Sequence, residues 1–169
     1  MTNNIIQTAA AVYIDTNSLM QSTNIINFLQ QHEGNVQIII PSCVRDQLVK
    51  LSEEDSPRGK QARDALEIID DLYKSCFCLE YTDEPKPARF FIAKAEERQF
   101  GQPILVLTQS ADLAHSLDIR RVSGCKVIMK RITMNGYLGN FDFSKLPPKF
   151  TALSDRCNAS AVLKNLNLI

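Results

Sequence analysis

The chain has 169 residues, of which 44% are hydrophobic and 22% are charged, as in an ordinary globular domain. Lysine plus arginine equals aspartate plus glutamate, at 19 each, so no large net positive charge attracts nucleic acid, and only a local basic patch could do so. The apolar runs are too short to cross a membrane, and the amino terminus lacks the basic start of a signal peptide. We therefore expect a cytoplasmic protein with no membrane partner.

The first predicted strand covers residues 11–14 and ends at Asp15. Most of its residues are β-branched or aromatic, which favours a buried strand. In open α/β sheets, ligands bind outside the carboxyl ends of the strands, where Asp15 falls. Asp15 is therefore either a ligand-binding acid or the N-cap of the next helix. Because Asn17 and Ser18 could provide the cap instead, we favour the ligand-binding role.

Helices and strands alternate along the rest of the chain. Further strands are predicted at residues 36–40, 76–81, 104–107 and 126–129. Helices are predicted at residues 19–32, from 42 through 51, at 60–74, at 87–99 and around Leu113 and Leu117. A polar loop is predicted at residues 52–59, and residues 134–140 are turn-like. This alternation predicts an α/β three-layer sandwich with a central parallel sheet of about five strands.

The last part of the chain breaks this pattern. We expect residues 1–144 to form one domain and residues 145–169 to form a carboxyl-terminal appendage. Residues 159–168 could form a short helix there. The appendage is far smaller than an ordinary domain, so we do not predict a second one.

Three segments resemble the PIN-domain family, the α/β nucleases of toxin–antitoxin pairs, ribosomal-RNA processing and RNA decay. They are the strand end at residues 12–17, the second strand with its helix at 38–48, and the late strand with its helix at 104–114. Their order and spacing agree with the family over residues 10–133. The resemblance implies a PIN-like fold and a metal-dependent endoribonuclease that acts on RNA phosphodiesters.

The resemblance also implies a cofactor, Mg²⁺ or Mn²⁺, bound by carboxylates at the carboxyl ends of the strands. Mg²⁺ prefers hard oxygen ligands in octahedral geometry, and carboxylates supply both ligands and compensating charge. The metal would activate a water molecule and stabilise the charge that develops on the phosphate.

The acids of this family are only partly present here. Asp15 and Asp112 match the first and last acids, so the resemblance assigns them as catalytic residues and metal ligands. Gln47 replaces the usual glutamate, Ser110 replaces an aspartate, and the region around Arg89 lacks the usual acid. Two carboxylates can hold one metal ion but support a two-metal mechanism poorly.

Other side chains could complete such a site. Four neutral residues would order metal-bound waters or the scissile phosphate: Asn17, Gln47, Thr108 and Ser110. Asp83 and Glu84 follow the third strand at the correct edge of the sheet and could substitute for missing acids. Asp46 is a third candidate, although one residue along a helix is a rotation of about 100° away from Gln47.

Basic residues give a second set of candidates. Arg58, Lys60 and Arg63 cluster near the start of the long helix and could contact RNA phosphates. Acidic residues at positions 53–55, just upstream, slightly favour the interpretation of these basic residues as ordinary solvent-exposed side chains at a helix start. His115 shares a helix face with Asp112, and we interpret it as an exposed histidine in preference to a general base.

Two functions stay open on this evidence. The first choice is a metal-dependent endoribonuclease with a reduced acidic site. The other is a catalytically silent PIN-like domain that binds RNA or a protein partner, including a second copy of itself. The altered acids favour the silent domain, and the intact strand end at Asp15 favours the enzyme. A weaker third interpretation, a phosphoryl-transfer or receiver-type domain, lacks the expected second acid early in the chain.

Overall fold

The structure is a computed structural model, and it describes residues 2–32, 37–72 and 77–143. These residues form, in chain order, α1 (Thr2–Thr8), β1 (Ala11–Ile14), α2 (Thr16–Leu19), α3 (Ser22–His32), β2 (Ile38–Pro41), α4 (Ser42–Ser52), α5 (Pro57–Leu72), β3 (Phe77–Glu80), α6 (Pro87–Glu97), β4 (Ile104–Leu107), α7 (Ala111–Val122), β5 (Val127–Ile132) and β6 (Leu138–Gly139). The predicted appendage at residues 145–169 lies outside the described residues. Among those residues, no helix is both long and apolar enough to span a membrane.

One sheet contains these strands in the order β3-β2-β1-β4-β5-β6. Neighbouring strands are parallel, except that β5 and β6 are antiparallel. From β1 the chain builds the sheet first on the side of β2 and β3, and later on the side of β4 and β5. The strand order therefore reverses between β1 and β4, where parallel sheets form a crevice at the carboxyl ends of the strands. Asp15 follows β1 at this point, and Thr108 follows β4.

The central strands are buried on both faces. Every residue of β1, β2 and β4 is buried, which explains why these strands are continuous apolar runs without alternation. Large side chains from the flanking helices fill the core, such as Phe28 of α3 and Phe91 of α6. The mostly parallel sheet between helices confirms the predicted three-layer α/β fold.

The amino-terminal third differs from the prediction in detail. The predicted helix at residues 19–32 is two helices, because the Gln21 amide donates to the Ser18 carbonyl at 3.1 Å and closes a tight turn between α2 and α3. In addition, α1 forms before β1, where no element is predicted, and buries Ile6 in the core.

The long helix α5 begins at Pro57, earlier than the predicted residue 60. The Ser56 hydroxyl accepts a hydrogen bond from the Gly59 amide at 3.0 Å. A serine cap followed by proline in the first turn is a strong start for a helix. The predicted polar loop at residues 52–59 is therefore shorter than expected.

The turn-like residues 134–140 include the short strand β6, where Leu138 pairs with Ile132. The turn before β6 packs on α3. Gly136 has a φ of 78°, and a Cβ atom there would lie 2.4 Å from the Phe28 amide nitrogen. Only glycine meets both the conformation and the close approach without strain.

Candidate functional site

Asp15 is held at the end of β1 by hydrogen bonds to both carboxylate oxygens. Its Oδ1 accepts from the Ser18 amide at 2.8 Å, which makes Asp15 the N-cap of α2. Its Oδ2 accepts from the Thr108 hydroxyl at the end of β4. Asp15 therefore has the capping role that was the less favoured prediction from the sequence, and the residue is only 5% exposed.

Burial changes the acidity of this carboxyl group. Loss of water raises the pKa of Asp15 above the ordinary aspartate value, and the hydrogen bonds from Thr108 and Ser18 offset part of that rise. The effect of burial is the larger one, because a carboxylate removed from water is harder to ionise. Asp15 therefore holds its negative charge less readily than an exposed aspartate.

A cavity of about 290 Å³, which we name the Asp15 cavity, opens at this edge of the sheet. Its polar lining comes from α2, α4 and the residues that precede α6 and α7: Asp15, Thr16, Asn17, Gln47, Lys86 and Ser110. Pro87, Ala88, Phe91 and Leu113 supply the apolar part. The structure thus brings together four of the predicted site residues, Asp15, Asn17, Gln47 and Ser110. Thr108, which was also predicted, contacts this group through its hydrogen bond to Asp15.

Hydrogen bonds fix the neutral side chains of the Asp15 cavity. The Thr16 hydroxyl donates to the Gln47 Oε1 atom and ties α2 to α4. Ser110 caps α7, because its hydroxyl accepts from the Leu113 amide at 3.2 Å, while its own amide donates to the Thr108 hydroxyl at 3.0 Å. The cap of α7 and the end of β4 therefore position Ser110, and the hydrogen bond between α2 and α4 positions Thr16 and Gln47.

Asp112 is not among the residues that line the Asp15 cavity. It is exposed in the first turn of α7, where a negative charge interacts favourably with the helix dipole. Leu113 lines the cavity, and the rotation of about 100° per helical residue turns Asp112 away from it. His115 is partly buried, not exposed as predicted, and its ring lies 5.5 Å from that of Phe143.

The candidate substitute acids also lie outside the lining of the Asp15 cavity. Asp46 is exposed on α4. Asp83 accepts a hydrogen bond from the Tyr81 hydroxyl at 3.0 Å. Glu84 accepts from the Lys86 amide at 3.0 Å and lines a separate pocket beside Arg89.

One member of the basic cluster on α5, Arg63, has a structural role. Arg63 donates to the Ser52 carbonyl at 2.7 Å and to the Glu54 carbonyl at 3.3 Å, and so braces the turn between α4 and α5. Arg58 and Lys60 are exposed on the same helix and do not line the Asp15 cavity.

Two polar residues of the Asp15 cavity, Thr16 and Lys86, were not predicted as site residues from the sequence. Arg89 lies in the region where the family resemblance leads us to expect an acid, but the structure places Lys86 in the lining of the Asp15 cavity and Arg89 in the separate pocket. Pro87 is the feature of the sequence that indicates the position of Lys86, because a proline in the first helical turn places the preceding residue at the amino-terminal start of the helix.

The side chains that line the Asp15 cavity are a poor ligand set for Mg²⁺ or Mn²⁺. Mg²⁺ requires several hard oxygen ligands with compensating negative charge. The Asp15 cavity offers one carboxylate, already hydrogen-bonded at both oxygens, together with the ammonium group of Lys86. Within residues 2–32, 37–72 and 77–143, no three Cys, His, Asp or Glu side chains form a group that could hold a metal ion.

Comparisons with known proteins agree with this fold. No curated protein matches the chain. The structure is similar to a domain of a functionally unknown protein from Methanocaldococcus jannaschii, with 16% identity and a TM-score of 0.51 over 72% of this chain and 91% of that one; at this identity the likeness shows the fold alone. A family model described as the PIN domain matches residues 12–118, which include β1, β4 and the residues around the Asp15 cavity. The chain therefore belongs to the PIN domain family.

Proposed function

We propose that this chain is a PIN domain that binds RNA and has lost metal-dependent cleavage. The observation that carries the proposal is the lining of the Asp15 cavity, which combines one buried carboxylate with neutral polar side chains and Lys86. Membership of a nuclease-type family, in which RNA binding is common, supports RNA as the ligand.

The charge of the Asp15 cavity supports the same proposal. Gln47 and Ser110 stand where the family resemblance leads us to expect acids, and each exchange removes one negative charge. An amide and a hydroxyl can still donate hydrogen bonds to phosphate oxygens, whereas a carboxylate would repel them. The exchanges therefore weaken metal binding and favour direct contact with an anion.

Restoring the missing acids tests the loss of the metal site. We expect the wild-type protein to show no Mn²⁺ binding by calorimetry at millimolar metal, and the double variant Gln47→Glu, Ser110→Asp to bind Mn²⁺ with a submillimolar dissociation constant. Both substitutions are compatible with the local structure. A glutamate at position 47 could still accept the hydrogen bond from the Thr16 hydroxyl, and aspartate is a good N-cap.

The matched control is Gln61→Glu, the same exchange at an exposed position of α5 outside the Asp15 cavity. It should leave the wild-type result unchanged. Binding of Mn²⁺ by the wild-type protein that Asp15→Asn abolishes would contradict the loss of the metal site.

The alternative function is an endoribonuclease with a reduced acidic site that uses Mg²⁺ or Mn²⁺. Retention of Asp15 in the cavity wall, beside Asn17, Gln47 and Ser110, is the observation that favours it. In that case Asp15→Asn would remove cleavage. Asp112→Asn would have little effect, because Asp112 is exposed outside the cavity lining.

A further inference from the structure

Lys86 brings an unshared positive charge to the Asp15 cavity. It lines the cavity, and it forms no ion pair with any residue in the described part of the chain. Lys94, on the adjoining helix α6, is different because its ammonium group pairs with Glu80. The charge of Lys86 is therefore available to a ligand that enters the cavity.

Backbone donors lie beside Lys86. Helix α6 has a proline in its first turn and no side-chain cap, so the amides of Ala88 and Arg89 have no partner within the helix. Helices α2 and α7, in contrast, are capped by Asp15 and Ser110. Glu84 accepts from the Lys86 amide, and the Ala88 and Arg89 amides that follow add to the preference of the cavity for an anion.

The size and charge of the Asp15 cavity suit a phosphate group. Its volume of about 290 Å³ is far larger than the space that a single bound water needs, so it can admit a phosphate group. In the part of the chain that the structure describes, its ionisable lining residues are Asp15 and Lys86, and Asp15 accepts hydrogen bonds from Ser18 and Thr108. Lys86 is thus the charged side chain with free donors.

We propose that Lys86 binds a backbone phosphate of single-stranded RNA in the Asp15 cavity, where it supplies the positive charge that a divalent metal would otherwise provide. This inference rests on the proposed RNA binding and adds the residue and the chemical group involved. Binding at this site is then independent of divalent metal and dependent on monovalent salt, because each phosphate contact releases counterions.

The test is RNA binding measured by fluorescence anisotropy with a fluorescein-labelled, mixed-sequence single-stranded RNA in EDTA, over a range of KCl concentrations. Lys86→Ala should weaken binding several-fold and reduce the slope of log affinity against log salt by about 0.7, the value for one phosphate contact on a single strand. Lys86→Arg should retain both affinity and slope, since it keeps the charge.

Lys50→Ala is the control, because Lys50 is exposed on α4 and does not line the Asp15 cavity. It should bind RNA like the wild type. If wild-type protein binds RNA and Lys86→Ala leaves both affinity and slope unchanged, the role of Lys86 is overturned while RNA binding stands. Loss of binding in Arg58→Ala or Lys60→Ala instead would place the contact on α5. Failure of the wild type to bind RNA in EDTA would overturn this inference together with the proposed function.

Discussion

Asp15 is buried in the site and has two structural roles. As the N-cap of α2 it accepts a backbone hydrogen bond from Ser18, and through Thr108 it connects β1 to β4. Burial raises its pKa in spite of these hydrogen bonds. Burial therefore makes the ionised form of Asp15 less favourable, relative to the neutral form, in the folded protein than in the unfolded chain.

The raised pKa of Asp15 predicts how the stability of the protein depends on pH. Because the pKa of Asp15 is higher in the folded protein than in the unfolded chain, its contribution lowers the free energy of unfolding as pH rises above the unfolded value of about 3.9. Asparagine also caps helices well, so Asp15→Asn should raise Tm at pH 7, and the gain should vanish at low pH. Each 1 kcal/mol of gain corresponds to roughly 2–4 °C in Tm.

Thermal melts by circular dichroism at several pH values provide the measurement, with Asp112→Asn as the exposed control. That control should show no gain in stability at any pH, and at pH 7 it should lose at most about 1 kcal/mol, the usual upper value for an exposed acid at a helix start. An Asp15→Asn variant that is less stable than wild type at pH 7 would show that the ionised carboxylate is favourable in the folded state.

At the scale of elements, helix starts decide which side chains reach the Asp15 cavity. The cap at Ser110 sets the phase of α7, so that Leu113 lines the cavity and Asp112 faces solvent. Likewise, Pro87 in the first turn of α6 leaves Lys86 at the cavity. A shift of one residue in either helix start would change which charge the cavity contains.

The turn between β5 and β6 requires glycine at position 136. Gly136→Ala should destabilise the protein by about 2–5 kcal/mol, because the left-handed conformation costs about 1–2 kcal/mol and overpacking against α3 about 1–3 kcal/mol. Urea unfolding measures the change. Gly124→Ala is the control, since Gly124 has a φ of 106° but open space where a Cβ would lie, and it should show the conformational cost alone. Equal effects of the two substitutions would mean that the turn does not pack on α3 in solution.

At the scale of the whole molecule, the sheet and the loss of acids at the site could be predicted from sequence, but the set of helix starts that line one cavity could not. Continuous apolar runs such as residues 104–107 indicate buried parallel strands, and their alternation with helices brings Asp15 and Thr108 to the same sheet edge. Pro87 predicts that Lys86 lies at the start of α6, but which helix starts line the same cavity depends on tertiary packing. Strand β6 has only two residues, too few for alternation to reveal it.

The most direct test of the central claim measures RNA affinity and RNA integrity together. Wild-type protein would be incubated with labelled single-stranded RNA in EDTA and in Mn²⁺ at equal ionic strength, with anisotropy to give Kd and denaturing gels to show cleavage. We predict the same Kd in both conditions and RNA that stays full-length. Binding that requires Mn²⁺, or cleavage that Asp15→Asn abolishes, would contradict the claim and identify the protein as a metal-dependent endoribonuclease.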